Sequence, residues 1–178
     1  MQRVLVMGSS GSGKSTFARR LANLTRLPFV SLDALYWWPG WQPSEPEAFG
    51  ECVAEAANSA RWVTDGNYMS HGAGELRRSR ADTVIWFDLP RYACMTGVMT
   101  RIARSCGKVR PEIAAGCPEQ IDIEFIRYVW AYRRQQRPRL LHYFEQLRTD
   151  QSLICFVSRK QAKRYLARLS SSPTAAMH

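Results

Sequence analysis

The sequence predicts an α/β fold in which a five-stranded parallel sheet carries helices on both faces. Three observations lead there. Five apolar runs are each nearly unbroken rather than alternating, as strands covered on both sides require. Helix-like segments separate these runs, and a glycine-rich loop joins the first run to the first helix. With 178 residues, 46% of them hydrophobic, the chain fits one domain with a sizeable core.

Val4 to Met7 is the first buried strand, Lys14 to Thr25 the first helix, and Pro28 to Leu32 the second strand. Glu45 to Ala60 has helical composition, with Ser44 as its N-cap. Strand "RWVTDG", a short polar stretch and strand "TVIWFDLP" follow. A helix near Tyr92 to Arg104 and an irregular segment to about Gln120 come next. A long helix from about Asp122 to Leu147, kinked at Pro138, leads to strand "LICFV" and a last helix from Arg159 to Leu169. The domain is expected to span 1–169, and residues 170–178 form a tail expected to be disordered. No internal repeat or interdomain linker is evident.

Composition narrows the function classes. No apolar run approaches the roughly 20 residues that span a bilayer, and the first residues enter a strand without a signal-peptide core. A cytoplasmic protein without membrane contact is expected. Five cysteines, an odd number without a C-x-x-C pair, are expected to be reduced thiols. The net charge of +10 is uneven: residues 1–90 hold nine Lys and Arg against nine Asp and Glu, residues 91–178 sixteen against six. Such a half can attract nucleic acid, but a site for polyphosphate ligands asks for the same cations.

"GSSGSGKST", from Gly8 to Thr16, matches G-x-x-x-x-G-K-[ST] between a predicted strand and a predicted helix. Gly8, Ser9, Ser10, Gly11, Ser12 and Gly13 let successive amide N–H groups turn inward, where a helix N-terminus adds positive charge. Lys14 is then expected to reach the β- and γ-phosphates of ATP and Ser15 to give a hydroxyl to Mg²⁺. Thr16 lies beside them near the α-phosphate.

Ligands of open parallel sheets bind beyond the carboxyl ends of the strands, where Asp33, Asp65 and Asp88 fall. Asp65 is a candidate for holding Mg²⁺ through water. Asp33, on the acceptor side, is a candidate for orienting or deprotonating an attacking hydroxyl, against helix capping or an Asx-turn. Asp88 in "DLP" reads as turn chemistry closing a strand. "LDALYWWPGW" sets Tyr36, Trp37, Trp38 and Trp41 beside these acids. They either wall a pocket for a flat or apolar acceptor or pack helices onto the sheet.

"GSSGSGKST", "LDALYWWPGW", "RWVTDGNY", "ADTVIWFDLPR", "GCPE" and "VWAYRRQQRPR" together resemble the adenylate-kinase-related DNA topology modulation proteins of bacteria, over roughly Gln2 to Leu169. The resemblance implies a P-loop NTPase fold similar to nucleoside-monophosphate and shikimate kinases. It implies an acceptor-binding region at about 33–60 and a mobile lid at about 105–121. "DGNY" stands where adenylate kinases carry an arginine-bearing "DGFPR", which argues against a monophosphate acceptor. Cys106 and Cys117 fall in the lid without the paired spacing of a zinc site.

Phosphoryl transfer asks for cations on the equatorial oxygens, and a lid can supply them. Arg101, Arg104, Lys108 and Arg110 lead into the irregular segment, and Arg127, Arg133, Arg134 and Arg137 follow it. Arg133 and Arg137, four apart on one helix face, are the candidate catalytic pair. Ser158 and Arg159 are expected near the adenine. The sequence thus points to a kinase-like protein that moves the γ-phosphoryl of MgATP to a small acceptor, as a monomer or homodimer. The alternative is a nucleotide-gated protein affecting DNA topology with slow ATP hydrolysis; DNA is a possible partner and not a required one.

Overall fold

The computed structural model describes residues 1–105, 116–118 and 121–171. Most of the expected lid, with Cys106, Lys108 and Arg110, lies outside them, as do residues 172–178. The elements in chain order are β1 (Arg3–Gly8), α1 (Lys14–Thr25), β2 (Phe29–Ser31), α2 (Leu32–Tyr36), β3 (Trp37–Trp38), β4 (Gln42–Pro43), α3 (Pro46–Asn58) and β5 (Trp62–Asp65). They continue with α4 (Gly74–Arg80), β6 (Thr83–Phe87), α5 (Arg91–Ser105), α6 (Ile123–Gln135), α7 (Arg137–Glu145), β7 (Ser152–Phe156) and α8 (Arg159–Ser171).

Five strands form one parallel sheet in the order β2-β5-β1-β6-β7. The period-two geometry of β1 divides the core. Val4 and Val6 face a layer that contains Phe17, Leu21, Val98 and Leu166, from α1, α5 and α8. Leu5 and Met7 face Trp62, Tyr132, Leu140 and Phe144, with α6 and α7 on that side. The central strands β5, β1 and β6 are therefore covered on both faces and need no alternating sequence, whereas the edge strand β7 leaves Leu153 and Cys155 exposed. Leu32, Phe49 and Val53 make a smaller cluster under the region after β2.

Several expected boundaries shift, each for a local reason. The predicted helix from Asp122 to Leu147 is two helices, and the break falls at Gln136 rather than at Pro138. A proline ring removes its own N–H and collides with the carbonyl one turn earlier, so it sits in the first turn of α7 and the break precedes it. Ser44 does not cap α3, whose N-cap is Glu45 followed by Pro46. The Ser44 hydroxyl instead accepts from Trp38 Nε1 and faces the carbonyls of Leu35 and Tyr36. Helix α8 runs two residues past its expected end, so Ser170 and Ser171 are helical and not tail. The short helices α2 and α4 and the β3–β4 hairpin were not anticipated. Among the described residues no helix is long and apolar enough to cross a membrane.

Candidate active site

Strand β1 ends at Gly8, and the chain curls through Ser9 to Gly13 into α1. Gly13 is a left-handed N-cap, no side chain caps α1, and no acid stands in its first turn. The first-turn N–H groups are therefore left to face the loop's hollow, the arrangement that binds anions. Gly11 has φ +73°, and a Cβ on it would stand 2.2 Å from the Cys94 carbonyl oxygen. A Cβ on Gly97 would in turn meet the Gly11 oxygen at 2.1 Å, so loop and α5 touch backbone to backbone. Arg159 of α8 holds the loop from behind, donating to Gly11 O at 2.6 Å and Ser12 O at 3.3 Å.

Lys14 is 8% exposed, and its Nζ lies 3.7 Å from Oδ1 of Asp65, itself 2% exposed. Parallel pairing of β1 with β5 places Asp65 opposite Val6, two residues before the loop. The β1–β5 register and the curl of the loop into α1 together bring the lysine to the acid although 50 residues separate them.

Two cavities meet at this point. One, of about 670 Å³, runs over Ser10 to Thr16 and is bordered by Arg101, Arg104, Arg159 and Lys163. The other, of about 930 Å³, lies toward α2, the hairpin, α6 and α7. Ser10, Lys14, Asp33 and Arg101 border both. Gly8 borders the larger cavity, while Ser9, expected among the phosphate-binding residues, is buried beside Cys94 and Asp88 and borders neither.

Asp33 sits in the first turn of α2, which Ser31 caps through its side chain to Ala34 N. The capping role weighed for Asp33 thus belongs to Ser31. Oδ1 of Asp33 accepts from the Tyr68 hydroxyl at 2.8 Å. Burial, together with that neighbouring carboxylate, pushes the Tyr68 phenol far above its ordinary value, so it stays a donor. Burial and the same Asp33 charge also raise Tyr128 of α6, on the cavity's other wall.

The loop after β5 is organised by a buried cation. Arg77 has no exposed surface and donates to the carbonyls of Gly72 (2.8 Å), Asn67 (2.8 Å), Tyr68 (2.8 Å) and Gly66 (3.4 Å). Burial lowers its value to about 10, which still leaves it charged at neutral pH. The loop it gathers presents Tyr68 to Asp33 and Asn67 to the end of β1. Asn67 Oδ1 accepts from Gly8 N at 2.9 Å, and Nδ2 donates to Gly8 O at 3.2 Å and Tyr132 Oη at 2.8 Å.

The aromatic stretch is divided. Trp37 and Trp41, across the hairpin, border the larger cavity with Tyr36, whereas Trp38 is 62% exposed and does not. The hairpin is clasped to the segment 116–118. Gly40 N donates to Gly116 O (2.8 Å), Trp41 Nε1 to Pro118 O (3.0 Å) and Cys117 Sγ to Trp38 O (3.0 Å).

Arg133 and Arg137, the expected catalytic pair, border neither cavity. Both reach Asp88, Arg137 Nε at 3.0 and 3.1 Å from its two oxygens and Arg133 Nε at 3.8 Å. Asp88, read from sequence as turn chemistry, is thus an ion-pair centre at the end of β6, its side chain 10% exposed. Among the described residues of the expected set, Arg101 and Arg104 are the arginines that border the cavity over the loop. Asn67, Tyr68, Arg77, Tyr128 and Tyr132 carry the site's polar network without having been singled out. The visible trace of the first two was "DGNY", directly after the strand-end aspartate.

No protein-family model matches the chain, and no curated protein matches it by sequence. Solved structures do. A shikimate kinase from Bacteroides thetaiotaomicron is 17% identical with a TM-score of 0.56, covering 94% of this chain and 96% of that one. A shikimate kinase from Acinetobacter baumannii, in complex with shikimate, is 17% identical with a TM-score of 0.54, covering 96% and 94%. A gluconokinase from Sinorhizobium meliloti 1021 is 18% identical with a TM-score of 0.50, covering 99% and 98%. The fold is that of small P-loop kinases. The expected likeness to adenylate kinases and to DNA topology modulation proteins is narrower than these matches reach.

Proposed function

We propose that the protein is an ATP-dependent small-molecule kinase, which transfers the γ-phosphoryl of MgATP to a hydroxyl of an acceptor held in the larger cavity. The observation that carries this reading is the junction of the two cavities at Lys14, Asp33 and Arg101. A nucleotide in one and an acceptor in the other would bring a terminal phosphate and a hydroxyl to the same place.

The residues fit the implied cofactors. The uncapped α1 N-terminus and the Ser10 to Gly13 backbone suit phosphates, and Lys14 adds the charge that a β/γ-bridging contact needs. Ser15 and Asp65 are the residues that would hold Mg²⁺, which, when bound with ATP, neutralises charge on the phosphoryl group in transit. Asp33 would accept a hydrogen bond from the acceptor hydroxyl and orient it, and Tyr68 fixes which carboxylate oxygen remains for that task. Arg101, at the junction with Lys14, would meet charge on the transferred group. Arg133 and Arg137 would act on the phosphates only by leaving Asp88.

The test is ADP release from MgATP across a panel of hydroxylated metabolites. One acceptor should raise the rate well above the water background, with Lys14→Ala abolishing it and Asp33→Asn reducing it by roughly 10²–10⁴-fold. Slow Lys14-dependent hydrolysis that no acceptor stimulates would instead fit a nucleotide-gated protein.

A further inference from the structure

We infer that the acceptor is an uncharged, nucleoside-sized compound that combines a flat ring with a hydroxyl group, rather than a sugar acid or a phosphate ester. The inference rests on the kinase reading, because it names the substrate class of that same cavity.

Its walls are aromatic on two sides. Tyr36, Trp37 and Trp41 come from α2 and the hairpin, Phe125 and Tyr128 from α6. Phe49 below them is 1% exposed, and Tyr36 packs one edge against it with ring centroids 5.1 Å apart. Tyr36, Trp37 and Trp41 instead remain half-buried at the cavity's edge. They are nevertheless held in fixed orientations, with ring centroids 4.9 Å apart for Tyr36 and Trp37 and 5.5 Å for Trp37 and Trp41, both edge to face. Braced, partly exposed rings are preorganised surface for stacking.

The cations are arranged against an anionic acceptor. A carboxylate or phosphate is recognised by converging guanidinium groups. Among the described residues, the cavity's arginines do not converge. Arg78 is engaged by Glu75 and Gln146 and lies over the Tyr143 ring. Arg101 stands at the junction with the nucleotide cleft, over Phe125. Arg139 is exposed on α7. Arg77, directly under the loop that lines the cavity, is turned into the protein onto four carbonyls. Asp33 at the transfer point further disfavours a negative acceptor. Beyond Lys14 and Asp33 at the junction, the remaining polar groups are one further carboxylate, Asp122, serine and tyrosine hydroxyls, two imidazoles and the amides Asn67, Gln136 and Gln146. Asn67 is held by Gly8 and Tyr132 and Gln146 by Arg78, so the Gln136 amide, with the hydroxyls, is the neutral group that suits the nitrogen and oxygen edges of a heteroaromatic ring. At about 930 Å³ the cavity is also at the upper end of small-ligand sites, larger than a short polyol needs.

The experiment compares nucleosides, their monophosphates, gluconate and shikimate as acceptors for the full chain with MgATP, and follows tryptophan fluorescence on titration with each. A nucleoside should exceed gluconate and shikimate in kcat/KM by about 100-fold. Trp41→Ala should raise its KM about tenfold with little change in kcat, as loss of one stacking ring does. Tyr128→Ala, on the partly exposed face of α6 and outside the hairpin clasp, should do the same if Trp41→Ala disturbs folding. A sugar acid or a monophosphate as the best acceptor would overturn the inference and leave the kinase reading intact. If no acceptor stimulates ADP release, the kinase reading fails and fluorescence decides the ligand class. Saturable nucleoside binding weakened in Tyr128→Ala supports it, and absence of nucleoside binding overturns it.

Discussion

Asn67 and Tyr132 are joined by a 2.8 Å hydrogen bond from the amide Nδ2 to the phenol oxygen, while the same amide spans both polar groups of Gly8. The last residue of β1, the turn after β5 and helix α6 therefore meet in one side chain. Helix α6 is thereby tied directly to the entrance of the phosphate loop.

Removing the Tyr132 hydroxyl leaves Asn67 on Gly8 and should lose one hydrogen bond, about 1 kcal/mol, or roughly 2–4 °C in Tm. Asn67→Ala removes all three bonds and should lower Tm further and reduce turnover more than tenfold. Melting curves and ADP-release kinetics on both variants check the order. Equal effects of Tyr132→Phe and Asn67→Ala would contradict the bridging role.

Arg77 should tolerate neither Met nor Lys. Met leaves four carbonyls without their donor, and Lys offers a point charge where a planar fork reaches several acceptors. Each variant is expected to lose roughly 3 kcal/mol or more in urea unfolding. Burial holds its value near 10, so the group is charged in both folded and unfolded chains at pH 7. Its titration adds no pH dependence to stability in the neutral range.

Asp88→Asn and Arg137→Gln should behave as one pair. Each is expected to lower stability by roughly 1.5–3 kcal/mol, and the double variant by little more than either. Their turnover should fall less than tenfold, whereas Arg101→Ala should cost on the order of 10³-fold if Arg101 meets the transferred phosphoryl. A thousandfold loss in Arg137→Gln with unchanged melting would instead place Arg137 on the phosphates during turnover.

Asp82 gives the pH dependence. Its carboxylate is partly desolvated, which alone would raise it. It accepts from Gln2 N (2.7 Å), Arg3 N (2.8 Å) and Thr83 Oγ1 (2.7 Å), and these bonds hold it below its ordinary 3.8. A folded value depressed below the unfolded one adds stability that is complete above the unfolded value and lost as pH falls through the folded one. The gap in urea midpoint between the native chain and Asp82→Asn should therefore be widest at neutral pH and close as the pH falls through the lowered folded value. A gap unchanged in acid would mean that the bonds do not depend on the carboxylate charge.

The sequence by itself determined the five-stranded parallel sheet, the phosphate loop and the order of the sheet strands along the chain. Those are local matters: an unbroken apolar run and a glycine pattern can each be read within a dozen residues, whereas the Ser44 cap could not, because its hydroxyl is taken by the hairpin. It also marked Asp65 and Asp33, because strand ends are where such acids gather. Only the tertiary structure decided which partners they have. Lys14 meets Asp65 through the register of β1 and β5, and Asp33 meets Tyr68 through a loop that a buried arginine gathers from below. Asp88 looked like a turn residue because its arginines lie 45 and 49 positions further along the chain, on helices whose packing brings them back over β6. Trp38 and Trp41 look alike in sequence, yet Trp38, on β3, is 62% exposed, while Trp41, in the turn of the hairpin with φ +61°, borders the cavity. Contacts of that kind come from how elements stack, and stacking is decided by the whole core at once.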